Sequence, residues 1–135
     1  MTQRTLEDLA EGFALFDNWE DRYRYLIDLG LRLPPMDSAL KTDENLVRGC
    51  TSRVWLVAEE QGGKLHFTAD SDAAIVKGLI FLLFVAYQDK SAEEIAAVNI
   101  ENIFRRIGLD QHLSPNRRNG FTAMVEKIRS FAPVA

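Results

Sequence analysis

The chain contains one cysteine and two histidines among its 135 residues, so thiol and imidazole groups, which serve as nucleophile and general base near neutral pH, are scarce. One cysteine excludes an intramolecular disulfide, and a free thiol is typical of a reducing, cytoplasmic environment. The most apolar stretch, residues 79–87, is far shorter than the roughly 20 residues that span a bilayer. The first eight residues turn acidic where a secretory signal peptide would have an apolar segment.

Positive charge is also limited. The chain has 16 Lys and Arg against 20 Asp and Glu, and its net charge at pH 7 is −4. Such a balance argues against generic nucleic-acid binding, which depends on cations facing phosphates. Hydrophobic residues make up 47% and charged residues 27%, as in globular proteins, and no linker or repeat divides the chain. We therefore expect one domain over residues 1–135.

The amino-terminal part predicts two helices. Thr5 with Asp8, and Asp17 with Glu20, have the spacing of helix start signals. Gly30 is the expected stop of the second helix, because glycine is common just beyond a helix end. Two consecutive prolines then break the helical pattern, since proline lacks the backbone donor.

The middle of the chain predicts a small antiparallel sheet of about three strands. Residues 53–59 fit a strand with Val54, Leu56 and Ala58 on one face and Trp55 and Val57 on the other. Residues 61–64 are expected to form a turn, and residues 65–69 the returning strand of a hairpin. Residues 46–48 are a candidate edge strand that leads into the loop of the lone cysteine.

The remaining segments predict four helices. Asp70, Ser71 and Asp72 are expected to cap a helix over residues 73–87 that is apolar on nearly every side. Such a helix belongs at the centre of the domain, where it covers the sheet. The other three are expected over residues 91–98, over residues 101–107 and from Ser114 onward. Strands grouped between helices define an α+β fold, a small sheet packed against helices.

The loop around Cys50 carries the most distinctive chemistry. Arg48 and Arg53 flank the cysteine, and cations beside a thiol lower its pKa and raise the fraction of nucleophilic thiolate. Gly49 permits unusual backbone conformations and leaves room for another molecule. The alternatives are that Cys50 is a packing residue, as free cysteines often are, and that each arginine forms a surface ion pair.

Two other functions are compatible with these residues. A cysteine-dependent hydrolase or transferase would need a base beside Cys50, and His66 and His112 are the imidazoles available for it. His66 lies out of phase with its apolar neighbours, which predicts an exposed strand position. The second alternative is a non-catalytic binding module whose cysteine is incidental.

Four sequence blocks lie in one register between about residues 13 and 131. They are Trp19-Glu20-Asp21-Arg22-Tyr23 with Leu29-Gly30 and Leu33-Pro34; Gly49-Cys50-x-Ser52-x-Val54-Trp55; Asp70-Ser71-Asp72-Ala73-x-Ile75-Val76-x-Gly78-Leu79; and His112-Leu113-Ser114-Pro115-x-Arg117-x-x-Gly120. Together they resemble the SufE/CsdE family of cysteine desulfuration proteins, and the last two blocks favour the SufE branch.

The resemblance implies a sulfur carrier and desulfurase activator rather than a stand-alone enzyme. Such proteins take sulfur from a persulfide on a pyridoxal-phosphate cysteine desulfurase, stimulate it, and relay the sulfur to iron–sulfur cluster assembly. Cys50 occupies the acceptor position. The pyridoxal phosphate belongs to the partner, so no cofactor, metal, nucleic acid or membrane is expected. The implied fold is a small antiparallel sheet with helices, like that of the scaffold protein IscU. A SufS-like or CsdA-like partner and a homodimer are left open.

Persulfide transfer resembles thiol–disulfide exchange, in which a thiolate attacks a divalent sulfur and another thiolate leaves. It therefore requires no metal, histidine or second protein thiol. Arg48, Arg53 and Arg117 are the candidates for stabilising the charged sulfur. Cys50 is expected to rest partly buried against apolar residues, and Gly49 to let the loop swing out.

The partner is expected to dock around the cysteine loop. Ser52 belongs to the acceptor motif, and Asp70 and Asp72 are the candidate partner contacts. An iron–sulfur scaffold is excluded short of a bridged dimer, because such clusters are usually held by several cysteines.

Overall fold

The computed structural model describes residues 5–132 of the chain. Its helices are α1 (Leu6–Ala14), α2 (Trp19–Gly30), α3 (Ala74–Tyr87), α4 (Ala92–Ala97), α5 (Ile100–Ile107), α6 (Leu109–His112) and α7 (Pro115–Ser130). Two 3₁₀ turns at Ser38–Leu40 and Asp43–Asn45 precede the strands β1 (Val54–Gln61) and β2 (Lys64–Ser71). The expected α+β class is confirmed.

Helix α3 occupies the centre of the molecule. Its side chains are apolar nearly all round, and Leu79, Ile80, Leu82 and Leu83 are almost completely buried. The helix contacts α1, α2, α4, α7 and β2. A helix without a polar face requires burial on all sides, so its predicted central position is confirmed.

Within the described residues, no helix has both the length and the apolar character needed to cross a membrane.

The sheet of the described chain is one antiparallel hairpin, in which Val54 lies opposite Ser71 and Gln61 opposite Lys64. The expectation of about three strands is wrong. Residues 46–48 contribute a single bridge to β1 instead of a strand. The 3₁₀ turn before them and the left-handed backbone of the glycine after them leave too few extended residues for a ladder.

Helix caps account for several of the helix starts. Thr5, Ser91 and Ser114 are N-caps, as the sequence predicts. The cap of α2 differs from the prediction, because Asn18 rather than Asp17 accepts a hydrogen bond from the first turn. The sequence also does not predict α6, since a helix of four residues shows no apolar periodicity. The chain therefore has five helices after the sheet in the described residues, where four were expected.

The predicted cap of α3 is wrong. Asp70 and Ser71 belong to β2, and α3 follows Ala73 without a side-chain cap. The Ser71 hydroxyl donates to the Arg53 carbonyl oxygen at 2.7 Å, and the Asp72 carboxylate accepts the Arg53 N–H at 3.1 Å. The Ser71 hydroxyl also accepts the Ala73 N–H at 3.2 Å, but neither side chain bonds to the first turn of α3. They hold the end of the cysteine loop against the β2–α3 corner.

Candidate functional site

Cys50 lies in the loop before β1 and packs against α7. Its side chain is half-buried, and its thiol donates a hydrogen bond to the Gly120 carbonyl oxygen over 3.5 Å. Gly49 has φ of 94°, a conformation in which other residues are strained. A Cβ atom at position 49 would also lie 3.3 Å from the Ala123 side chain of α7. Glycine therefore lets the loop turn while it stays close to this helix.

A cavity of about 250 Å³ lies beside the sulfur. Its apolar wall comes from β1, α3 and α7 and consists of Val54, Val76, Leu79, Phe121 and Met124. Its polar wall consists of Thr51, Ser52, Ser114, Asn116 and Arg117. The cavity has room for a group larger than a thiol on Cys50, with apolar shielding on one side. The expected packing of Cys50 against apolar residues is thus observed.

A second cavity of about 370 Å³ is formed by Asp43 and residues 46–53. Cys50, Thr51 and Ser52 line both cavities. The cysteine loop can therefore be reached from either cavity. Ser52 of the acceptor motif lines both cavities.

Burial raises the pKa of the Cys50 thiol above its ordinary value. The expectation that neighbouring arginines lower this pKa is wrong for the observed conformation, because no arginine charge offsets the burial. The side chains of Arg48, Arg53 and Arg117 are exposed, and water screens their charges. In this conformation the fold favours the neutral thiol over the thiolate.

The same three arginines lie at the two cavities. Arg117 lines the first cavity, and Arg48 and Arg53 line the second. Their side chains form no hydrogen bond or ion pair with another residue between positions 5 and 132. The alternative in which each arginine belongs to a surface ion pair is therefore not realised within that range. The structure does bring the three arginine residues to the two cavities that Cys50 also lines.

Asp70 is engaged within the chain. Its side chain is only 18% exposed and forms ion pairs with Lys41 at 2.8 Å and Lys77 at 3.5 Å. Burial alone would raise the pKa of Asp70, but the hydrogen bonds from Lys41 and the Ser71 N–H and the nearby lysine charges lower it overall. Asp70 thus links the segment before the cysteine loop to α3. The exposed Asp72 contacts that loop directly through Arg53.

Neither histidine contacts the sulfur. His66 is exposed, as predicted, and its Nδ1 lies 3.0 Å from the Asp89 carboxylate. His112 stacks on Trp19 with the ring centroids 4.0 Å apart. Within residues 5–132 the thiol has the Gly120 carbonyl as its hydrogen-bond partner, and no imidazole is placed as its base. This arrangement gives no support to a cysteine hydrolase.

Gly120 belongs to the fourth sequence block, but its contact with Cys50 is not predicted by the sequence. The signal available was a glycine inside a helix, where alanine would be more stable. The carbonyl contact itself joins residues 70 positions apart, which no local pattern predicts.

The raised thiol pKa leads to a testable pH dependence. We expect native Cys50 to react slowly with iodoacetamide near neutral pH, because only the thiolate is alkylated. The half-maximal rate should occur at higher pH in the native protein than in the protein unfolded in urea. The stabilising effect of the buried thiol is complete below the unfolded pKa and is lost as the pH rises through the folded pKa. A native midpoint at or below the unfolded one would contradict this prediction.

The fold and the site define a small α+β protein built around one shielded cysteine in a glycine loop. A family model described as SufE, "Fe-S metabolism associated domain", matches residues 7–132. The chain therefore belongs to the SufE family. Membership associates it with iron–sulfur metabolism and implies, in general terms, a cysteine desulfurase partner.

Relatives and a solved structure agree with this assignment. The chain is 44% identical over 134 residues to an uncharacterized SufE-like protein of Rhizobium etli, covering 96% of this chain and 90% of the relative. An uncharacterized SufE-like protein of Rhizobium meliloti is 43% identical over 132 residues, with 95% and 94% coverage. The solution structure of a hypothetical protein from Thermus thermophilus has the same fold at 23% identity, with a TM-score of 0.74 and 96% and 94% coverage.

Proposed function

We propose that this protein is a sulfur acceptor and carrier that receives persulfide sulfur on Cys50 from a cysteine desulfurase and stimulates that enzyme. The observation that supports this proposal is the placement of the only cysteine beside a cavity with an apolar wall. A persulfide carrier needs such shielding, because free thiols in solution attack an exposed sulfane sulfur. Transfer onward to the iron–sulfur assembly complex and a reducing, cytoplasmic location belong to the same proposal.

The reaction is a balanced exchange. The Cys50 thiolate attacks the terminal sulfur of the donor persulfide, a new S–S bond forms, and the donor S–S bond breaks. The donor cysteine leaves as a thiolate, so no external oxidant or reductant is consumed. The chain itself supplies the attacking sulfur, while the pyridoxal phosphate chemistry that generates the donor persulfide belongs to the partner.

The resting conformation is unsuited to attack. The Cys50 thiol is half-buried and bonded to the Gly120 carbonyl, and burial raises its pKa. Docking must therefore move the loop so that the sulfur ionises in a more polar setting. Gly49 provides the backbone freedom for this movement.

The arginines are proposed to act in the docked state. The side chains of Arg48, Arg53 and Arg117 have no hydrogen-bond or ion-pair partner among the described residues, so they are available to an incoming anionic group. When the loop moves outward, they can stabilise the thiolate or persulfide charge and contact acidic groups of the desulfurase. Asp72, which holds the loop in the resting state, is the exposed acidic candidate for partner contact.

Mass spectrometry tests the proposed transfer. After incubation with the desulfurase and cysteine, the peptide that contains Cys50 should gain the mass of one sulfur atom, and dithiothreitol should remove it. The same incubation without cysteine is the control and should leave Cys50 unmodified. If Cys50 remained unmodified while the desulfurase was fully stimulated, the carrier function would be wrong.

A further inference from the structure

Gly120 lies inside α7, with most of the helix following it, and is buried. Glycine in a helix interior is less stable than alanine because it loses more backbone freedom on folding. Two other buried helix glycines, Gly30 and Gly78, have an evident reason, since a Cβ atom at either would collide with the backbone of the facing helix. The reason for glycine at position 120 is different.

The three heavy atoms nearest to a Cβ atom at position 120 all belong to Cys50. The distances would be 3.4 Å to the sulfur and 3.8 Å to both Cα and Cβ of that residue. These are ordinary van der Waals separations, so an alanine fits beside the reduced thiol. The reduced state therefore does not explain the glycine.

A persulfide on Cys50 needs more volume beside Gly120 than the thiol does. The added sulfur lies about 2.05 Å from Sγ along the new S–S bond. Sγ also loses its hydrogen, so it no longer donates to the Gly120 carbonyl, and the side chain must settle into the adjoining cavity. Gly120 is part of the lining of that cavity. An alanine methyl group would occupy cavity space next to Sγ that the terminal sulfur can otherwise use.

Resting on the proposed function, we propose that Gly120 is a positioning residue for the persulfide: its missing side chain reserves the space in which the terminal sulfur of loaded Cys50 is shielded. The cavity of about 250 Å³ supplies the volume, and Val76, Leu79 and Met124 supply apolar cover. An alanine at position 120 leaves the thiol form intact and displaces the loaded sulfur toward solvent.

The test loads Cys50 without the desulfurase. Inorganic polysulfide is the probe: the Cys50 thiolate attacks one of its sulfurs, an S–S bond forms to Cys50, and a shorter polysulfide anion leaves. After desalting, the full-length protein is held in a fixed concentration of dithiothreitol. Intact-mass measurements then follow the loss of the added sulfur.

Gly120→Ala is compared with the wild-type protein and with Asn119→Ala. Asn119 is the exposed neighbour in the same helix and lines neither cavity of the cysteine loop, so its replacement changes helix propensity outside the site. We expect the persulfide of Gly120→Ala to be lost roughly tenfold faster than that of the other two proteins, because it is less protected from solvent thiol. The reduced forms of all three should fold and should react with iodoacetamide at rates within about twofold of one another.

Equal persulfide lifetimes in Gly120→Ala and the wild type would overturn this proposal. A reduced Gly120→Ala protein that unfolds or alkylates much faster would also overturn it, because the glycine would then be required by the thiol form. A different result would contradict the proposed function alone. In that case the desulfurase would not load wild-type Cys50, but after polysulfide loading Gly120→Ala would still lose its persulfide faster than the wild type.

Discussion

Replacing Cys50 with serine is expected to reduce desulfurase stimulation to the level of the desulfurase alone while leaving the complex intact. A serine hydroxyl is not ionised near neutral pH and has no sulfur with which to form an S–S bond, so the proposed relay loses its acceptor. The fold should tolerate the change, because a serine is smaller and its hydroxyl can still donate to the Gly120 carbonyl oxygen.

The measurements for Cys50→Ser are alanine production by the desulfurase and the dissociation constant of the complex by calorimetry. We expect loss of the entire stimulated component and a dissociation constant within about threefold of the wild-type value, since the proposed docking surface surrounds the cysteine and a single thiol would supply little of it. Ala96→Ser is the control, because it adds an exposed serine on α4 outside both cavities. Full stimulation by Cys50→Ser would favour the non-catalytic binding module.

Replacing Gly78 with alanine is expected to destabilise the protein severely. Gly78 lies where α3 crosses α2, and a Cβ atom there would be 2.6 Å from Leu26 Cγ and 2.8 Å from the Leu26 carbonyl carbon. Backbone atoms cannot rotate away as a side chain can, so the two helices would have to separate. Overpacking of this kind costs about 3 kcal/mol or more, a large part of the roughly 5–15 kcal/mol that stabilises a typical domain.

Urea unfolding of Gly78→Ala provides the measurement, and Gly120→Ala provides a matched control. Both changes place one methyl group on a buried helix glycine, but the methyl at position 120 meets Cys50 at ordinary contact distances. We expect Gly120→Ala to be as stable as the wild type or more stable by up to about 1 kcal/mol. Equal stability of Gly78→Ala and the wild type would refute the close helix crossing.

Local patterns predicted those elements whose stability is decided locally. The caps at Thr5, Ser91 and Ser114 were confirmed because a side chain there bonds to a backbone donor within the next turn. The predicted hairpin was confirmed because two local features agree: side chains alternate between the two faces of each strand, and a Gly-Gly turn joins the strands. The cap before α3 was wrong because a partner distant in sequence decides it: Asp72 bonds to Arg53, which faces it at the open end of the hairpin. The third strand was wrong because the 3₁₀ turn before residues 46–48 and the left-handed Gly49 after them leave too short an extended segment.

At the cysteine site, too, some features are predicted by the sequence and others depend on the folded chain. By itself, the sequence identified the residue that we propose carries the chemistry, because there is one cysteine and it lies in a glycine loop of a recognisable family. It also placed arginines near that residue. It could not determine whether their charge reaches the sulfur, since that depends on burial and distance in the folded chain.

Only the tertiary structure decided the state of the thiol. Packing against α7 desolvates Cys50, raises its pKa and provides the Gly120 carbonyl as its acceptor. Residues from β1, α3 and α7 then enclose the cavity beside it. Desolvation and cavity volume arise from groups far apart in sequence that meet only in the folded chain. The residue types therefore specify a sulfur nucleophile, and the packing of distant helices specifies how it is held and shielded.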